Sequence, residues 1–323
     1  MPRKPQPAPL DGAIVIDKPK GRTSHDVVEA VRRIAGFRQV GHLGTLDPLA
    51  TGVLVLLLGR ATRLAQFYTG RRKRYDAVFR FGFSTDTFDA DGAPRGPDTP
   101  PVLDPAEIER LAATRVGRFE QMPPPFSAKK IHGRPAHELA RKQKPVELQP
   151  VEVEVHEFRI LEVAGTRAHF TIECGAGTYI RSLAQEMGAA LGCGAHLAEI
   201  VRTAVGEFTL DQAVKLEELE RAPRSDFPRF VIPLKQLLPD LPSVVVLPIL
   251  ERRIRHGSKF NVTLGQIQPG SVHAAQGATA QLDSGEPKPP RLRVFSQQEH
   301  LIAIAEAVVP RTYQPLVVLE AEA

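Results

Sequence analysis

With 323 residues, 42% of them hydrophobic and 24% charged, the chain is long enough for two domains and has a globular composition. Forty-two Lys and Arg against 37 Asp and Glu give +5, a weak bias toward a polyanionic partner. Cys174 and Cys193 lack any CxxC context, which argues against a disulfide framework or zinc ribbon, and the longest apolar run, 53–58, is too short for a membrane span.

The first ten residues, MPRKPQPAPL, read as a disordered tail with no apolar signal region, so a cytoplasmic protein is expected. AIVIDKPKG (13–21) reads as a strand stopped by Lys-Pro-Lys-Gly. TSHDVVEAVRRIAG (23–36) predicts a helix capped by Ser24 and ended by Gly36, with Val27, Val28, Val31 and Ile34 on one face. VLVLLLG (53–59) is a buried strand or part of a buried helix; its composition leaves both open. RYDAVFRFGF (74–83) alternates as a strand does, a carboxylate-rich turn (84–92) and a loop (93–101) follow, and 104–116 predicts a helix.

Residues 122–144 begin as extended loop and end in a short basic helix. Strands are expected at 151–163 and 167–175, a helix at 178–192, and a strand at the end of 195–210. From about 240, short strand-like pieces between Gly and Pro turns suggest a small β-rich domain, with a long polar loop at 265–290. The fold class expected is therefore α+β: a first domain at 11–240, with the loop-rich stretch at about 122–150 inside it, then a second domain at 241–323.

The positive charge is concentrated. Segment 127–144 holds six Lys or Arg and one Glu, RRKR (71–74) runs into Tyr75, and RRIRHGSK (252–259) adds four more. Each patch alone is an ordinary solvated face; three together, one ending in an aromatic ring, form a nucleic-acid footprint. Asp86, Asp89 and Asp91 meet only half of a calcium-loop pattern, so no metal is expected there.

GHLGTLDPLATGVLVLLLG (41–59) sets Asp47 before a proline and an apolar run, with Gly41, Gly44 and Gly52 relaxing the backbone around it. An isolated Asp-Pro step is more often a turn than a reactive group. Together with KRYDAVFRFGFSTDTFDADG, GTYIRSLAQEMGAALGCGAH and GAIVIDKPKGRTSHDVV, however, it closely resembles the TruB family, the bacterial tRNA pseudouridine-55 synthases. The similarity spans about residues 11 to 210; the end of the chain resembles the family's PUA-type RNA-binding domain more loosely.

The resemblance implies a mostly antiparallel pseudouridine-synthase sheet with a PUA-like domain after it. It also implies a cofactor-free, metal-free monomer that isomerises a uridine in the T-arm loop of tRNA. It makes Asp47 the reacting carboxylate, sets Tyr75 on the target base and pairs Arg181 with Asp47. It places Tyr179 at the pocket floor, makes His42 a wedge, and assigns Asp89 to the arginine network, Lys18 to the motif loop and Ile200 to an apolar wall. Lys129, Lys130, Arg141 and Lys142 would contact the T-arm. The chain departs from the family at Ala176, where a lysine is common, and at Val201, where an arginine is common.

Breaking a glycosidic bond without a cofactor calls for an ionised carboxylate in a pocket that excludes water. A guanidinium would keep it ionised there. A noncatalytic RNA-folding protein would need the basic patches but not Asp47 with Arg181, and a nucleoside hydrolase would need a positioned water.

Overall fold

The computed structural model describes residues 10–125, 148–271 and 290–319, together with the backbone of a two-residue ladder, Lys130–Ile131 against Arg134–Pro135. The tail at 1–9, the expected basic helix near 140 and the side chains of Lys129, Lys130, Arg141 and Lys142 lie outside the described residues.

The main sheet runs Val214–Lys215, Gly12–Lys18, Thr51–Leu58, Ala195–Val205, Lys73–Phe81, Arg167–Cys174, Val151–Ala164, Gly117–Gln121. Its neighbours are antiparallel except where Gly12–Lys18 meets Val214–Lys215 and where Thr51–Leu58 meets Ala195–Val205. The helices Ser24–Ala35, Pro105–Ala113 and Ile180–Ala190 bury their apolar stripes in the core on one face.

The sequence left 53–59 open between strand and helix, and it is a central strand. Leu54, Leu56 and Leu58 pack in the helix-side core, while Val53, Val55 and Leu57 pack on the opposite face. A strand covered on both faces has no polar side to show, so the period-2 signal vanishes.

That opposite face is covered by the C-terminal β domain. Its sheet is Ser243–Val245, Arg291–Phe295, Leu301–Val309, Thr312–Val318, Phe260–Asn261. Val53, Val55 and Leu57 share one core with Leu237, Leu238, Ile304, Val317 and Leu319. Arg71 bridges to Asp240 at 2.9 Å across the same seam. The helix Pro248–Arg255 was not anticipated; its eight residues bury only Ile254, so no apolar period marks it.

Helix Ser24–Ala35 corrects the expected cap. Thr23, not Ser24, is the N-cap: its hydroxyl accepts from the Asp26 amide, and the Asp26 carboxylate accepts from the Thr23 amide. Gly36 ends the helix at φ 77°, as expected. Ser24 is thereby released for another task.

Candidate active site

A cleft of about 480 Å³ opens where the loop 42–47, the start of the strand Lys73–Phe81 and the segment 175–181 converge. Asp47 stands on its wall, and the loop carrying it is pinned carbonyl by carbonyl. Arg202 donates to the carbonyls of Gly44 at 3.1 Å, Thr45 at 3.2 Å and Val53 at 2.8 Å. Ser24 Oγ donates to the Leu46 carbonyl at 3.1 Å and accepts from the Leu46 amide at 2.8 Å. The Asp47 carbonyl accepts from the Ala50 amide at 3.1 Å, and the Pro48 carbonyl from the Gly21 amide at 2.8 Å.

Lys18 is fully buried beneath this loop. Its ammonium donates to the carbonyls of Pro19, Arg22 and Pro48 at 2.9, 2.7 and 3.4 Å. Burial lowers its pKa to about 8, against the upward pull of Asp47. Gly52, at φ 92°, allows the close approach on the far side: a Cβ there would stand 2.3 Å from the Arg202 carbonyl oxygen. Five consecutive carbonyls, 44–48, are thus held by Arg202, by the stretch 18–24 and by the loop's own turn at Ala50. Pinning of this kind fixes a side chain to the tolerance that chemistry needs.

Arg181 lies in the first turn of the helix Ile180–Ala190 and is buried. Its Nε is 2.9 Å from Asp47 Oδ2, and its Nη1 is 3.5 Å from Asp89 Oδ2 and donates to the Thr87 carbonyl at 3.0 Å. Asp89 is buried and accepts from Thr87 Oγ1 at 2.6 Å and from the Asp91 amide at 3.2 Å. Burial raises its pKa, opposed by Thr87 and Arg181.

Asp89 is therefore an arginine-network residue. Asp86 caps its own turn by accepting from the Ala93 amide at 2.8 Å. Among the described residues no group of three or more His, Cys, Asp or Glu is arranged to hold a metal.

One expectation changes here. Asp47 was expected in a water-excluding pocket, yet its side chain keeps 45% of its exposure, against 7% for Arg181. The buried Arg181 therefore orients a carboxylate that faces the open cleft.

Tyr75 is buried at the cleft floor beside Arg202. Burial pushes its phenol up to about 12, although Arg202 pulls the other way, so the ring is neutral at pH 7. We expect the 295 nm tyrosinate titrations of wild type and Tyr75→Phe to coincide up to a pH of about 10.5, where a free phenol would already be about three-quarters ionised. A missing component near pH 10 in the variant would mean that the ring is wet.

Tyr179 lines the cleft next to Arg181. Its backbone exchanges hydrogen bonds with the buried Gln121 side chain, the Tyr179 amide to Oε1 at 2.8 Å and Nε2 to the Tyr179 carbonyl at 3.1 Å. Ile200 forms an apolar wall. His42 sits at the rim, its Nδ1 accepting from the Gly44 amide at 3.3 Å, and burial together with Arg202 lowers its pKa.

Of the departures noted in sequence, Ala176 lines the cleft, and Val201 packs its Cγ1 against Gly52. Sequence reading missed Arg202, Ser24 and Gln121 as site supports. Only Arg202 had a local signal, a cation directly after the apolar pair Ile200 and Val201.

The chain matches a family model described as TruB family pseudouridylate synthase (N terminal domain) over residues 32–180. A second, described as tRNA pseudouridylate synthase B C-terminal domain, matches over 181–238. A curated relative from Solibacter usitatus, tRNA pseudouridine synthase B, is 45% identical over 96% of this chain and 100% of its own length. Its namesake in Aquifex aeolicus is 42% identical over 78% of this chain and 87% of that protein. The one in Aliivibrio fischeri is 36% identical over 93% and 99%.

Among solved structures, that of a Cbf5-Nop10-Gar1 complex superposes with a TM-score of 0.70 at 23% identity, covering 97% of this chain and 86% of that one. An archaeal box H/ACA sRNP Nop10-Cbf5 complex gives 0.67 at 24%, covering 97% and 87%. At that identity the fold is what is shared.

Proposed function

This chain belongs to the TruB family and makes pseudouridine in tRNA, and from that premise we propose that the cleft isomerises uridine 55 of the T-arm loop with Asp47 as the reacting carboxylate. The observation that carries the reading is the Asp47–Arg181 pair at 2.9 Å on a loop whose carbonyls are all pinned. A noncatalytic RNA-folding protein has no use for that pair.

The reaction breaks C1′–N1, turns the uracil and forms C1′–C5. The proton leaves C5 and N1 gains one, so atoms balance with no outside reagent. An anionic Asp47 meets the electron-poor sugar carbon or the ring, by charge, by a covalent bond or by moving a proton. Arg181 fixes which oxygen of Asp47 faces the reacting atoms, and Asp89 with the Thr87 carbonyl fixes Arg181.

A stacked uridine cannot reach Asp47. It flips at a cost of a few kcal/mol, and stacking on the neutral Tyr75 ring returns about 1–3 kcal/mol. His42 at the rim takes up the space that the base vacates. Ile200 and Tyr179 wall the pocket, and Lys18 supports the loop. The segment 127–144 and the PUA-like C-terminal domain supply further contacts to phosphates. The chain works as a monomer in the cytoplasm, where its tRNA substrate is found.

The test is tritium release from C5-labelled uridine in a T-arm stem-loop, with purified protein and no metal or cofactor added. Stoichiometric release with pseudouridine at position 55 supports the reading. Release at another uridine, or none from a protein that binds the RNA, overturns it.

A further inference from the structure

The basic run 71–74 reads in sequence as one patch, but the fold sorts it. Arg71 is tied to Asp240 at 2.9 Å. Arg72 and Arg74 hold the two oxygens of Glu173 at 2.8 and 2.7 Å. Arg74 and Glu173 are direct cross-strand partners, so they share a sheet face, and Tyr75, the next residue along, points to the other. Lys73 alternates with Arg72 and Arg74, lies on the face of Tyr75, and lines the cleft.

The lysine stem passes beneath the Asp47 loop: a Cβ added at Gly44 would stand 3.4 Å from Lys73 Cε. Among the described residues no hydrogen bond or ion pair reaches its ammonium. The other two permanent cations lining the cleft are committed. Arg181 sits between Asp47 and Asp89, and Arg202 donates to three carbonyls. Lys73 is half-buried, and burial lowers its pKa, with Arg202 adding to that. A partly desolvated cation without a counter-charge is a costly arrangement for the free protein. It is repaired when an anion arrives.

Resting on the reading of the cleft as a pseudouridine synthase site, we propose that Lys73 is the phosphate anchor of the flipped nucleotide. It binds a non-bridging oxygen of one of the two phosphodiesters flanking the target uridine. Uracil offers only neutral carbonyls, which would leave the charge uncompensated; a phosphate oxygen cancels it. The anchor also fits the alternation of the strand. Tyr75 takes the base and Lys73, two residues earlier on the same face, takes the backbone, so one rigid strand reads both ends of the nucleotide.

The test combines Lys73→Gln and Lys73→Arg with T-arm stem-loops carrying a single uncharged methylphosphonate at either flanking linkage. We expect Lys73→Gln to weaken binding about tenfold, the size of one partly exposed charge-assisted contact. The salt slope should flatten by about 0.7. At one linkage the methylphosphonate should weaken wild-type binding by the same factor and add nothing in Lys73→Gln. Lys73→Arg should restore both the affinity and the sensitivity.

Additive losses at both linkages would overturn the proposal. So would wild-type affinity in Lys73→Gln with a slower single-turnover rate, which would put the ammonium on the base. Wild-type turnover on unmodified RNA tests the enzyme reading separately.

Discussion

Asp47→Asn should lose at least about 10³-fold in single-turnover rate, the upper range for removing one preorganised charged group from a reacting centre. The amide keeps the shape and can still accept from Arg181 Nε, so the loss isolates the charge. RNA affinity should stay within about threefold, because phosphates and the stacked base supply it. Stability should barely change: Asp47 is 45% exposed, and an ion pair with so wet a partner is worth about 1 kcal/mol or less. Tritium release, filter binding and thermal melts measure the three quantities. Wild-type turnover in the variant would remove Asp47 from the chemistry.

Arg181→Met should be costly twice over. Asp47 loses the group that orients it, and the rate should fall about 10²-fold or more. Asp89 is buried and loses its counter-charge, and breaking such a pair costs about 3–5 kcal/mol. The pH dependence gives a sharper signature. Burial already raises the Asp89 pKa above its unfolded value, so the native state binds the proton more tightly than the unfolded chain. Stability from such a group is present at low pH and is lost as pH rises through the folded pKa. Without Arg181 the pKa rises further. The melting-temperature gap between wild type and variant should therefore widen as pH rises from about 4, the ordinary Asp value, through the raised pKa of Asp89. A constant gap, or an unchanged rate, would mean that Arg181 is an ordinary helix residue.

Local chemistry made much of this molecule legible in one dimension. The alternation of RYDAVFRF announced a strand, and Gly36 announced a helix stop. Asp47, Tyr75 and Arg181 were marked by motifs that match a known family, and the fold places all three in one cleft. Ser24 shows the limit: it reads as the cap, but Thr23 takes that place and Ser24 pins the Asp47 loop instead.

What the sequence by itself determined is the inventory: an α+β chain with a second β domain, a carboxylate framed by glycines and a proline, and three concentrations of basic charge. The tertiary structure alone decided how that inventory is used. It joined Asp47 to Arg181 across more than a hundred residues and drew Arg202 onto the backbone of the loop at Gly44 and Thr45. It also divided four consecutive basic residues into three that are paired and one, Lys73, that faces the cleft. The physical reason is that a strand's alternation fixes which residues share a face, while only its neighbours in the sheet determine what that face meets. Those neighbours, at 167–174 and 195–205, come from far along the chain.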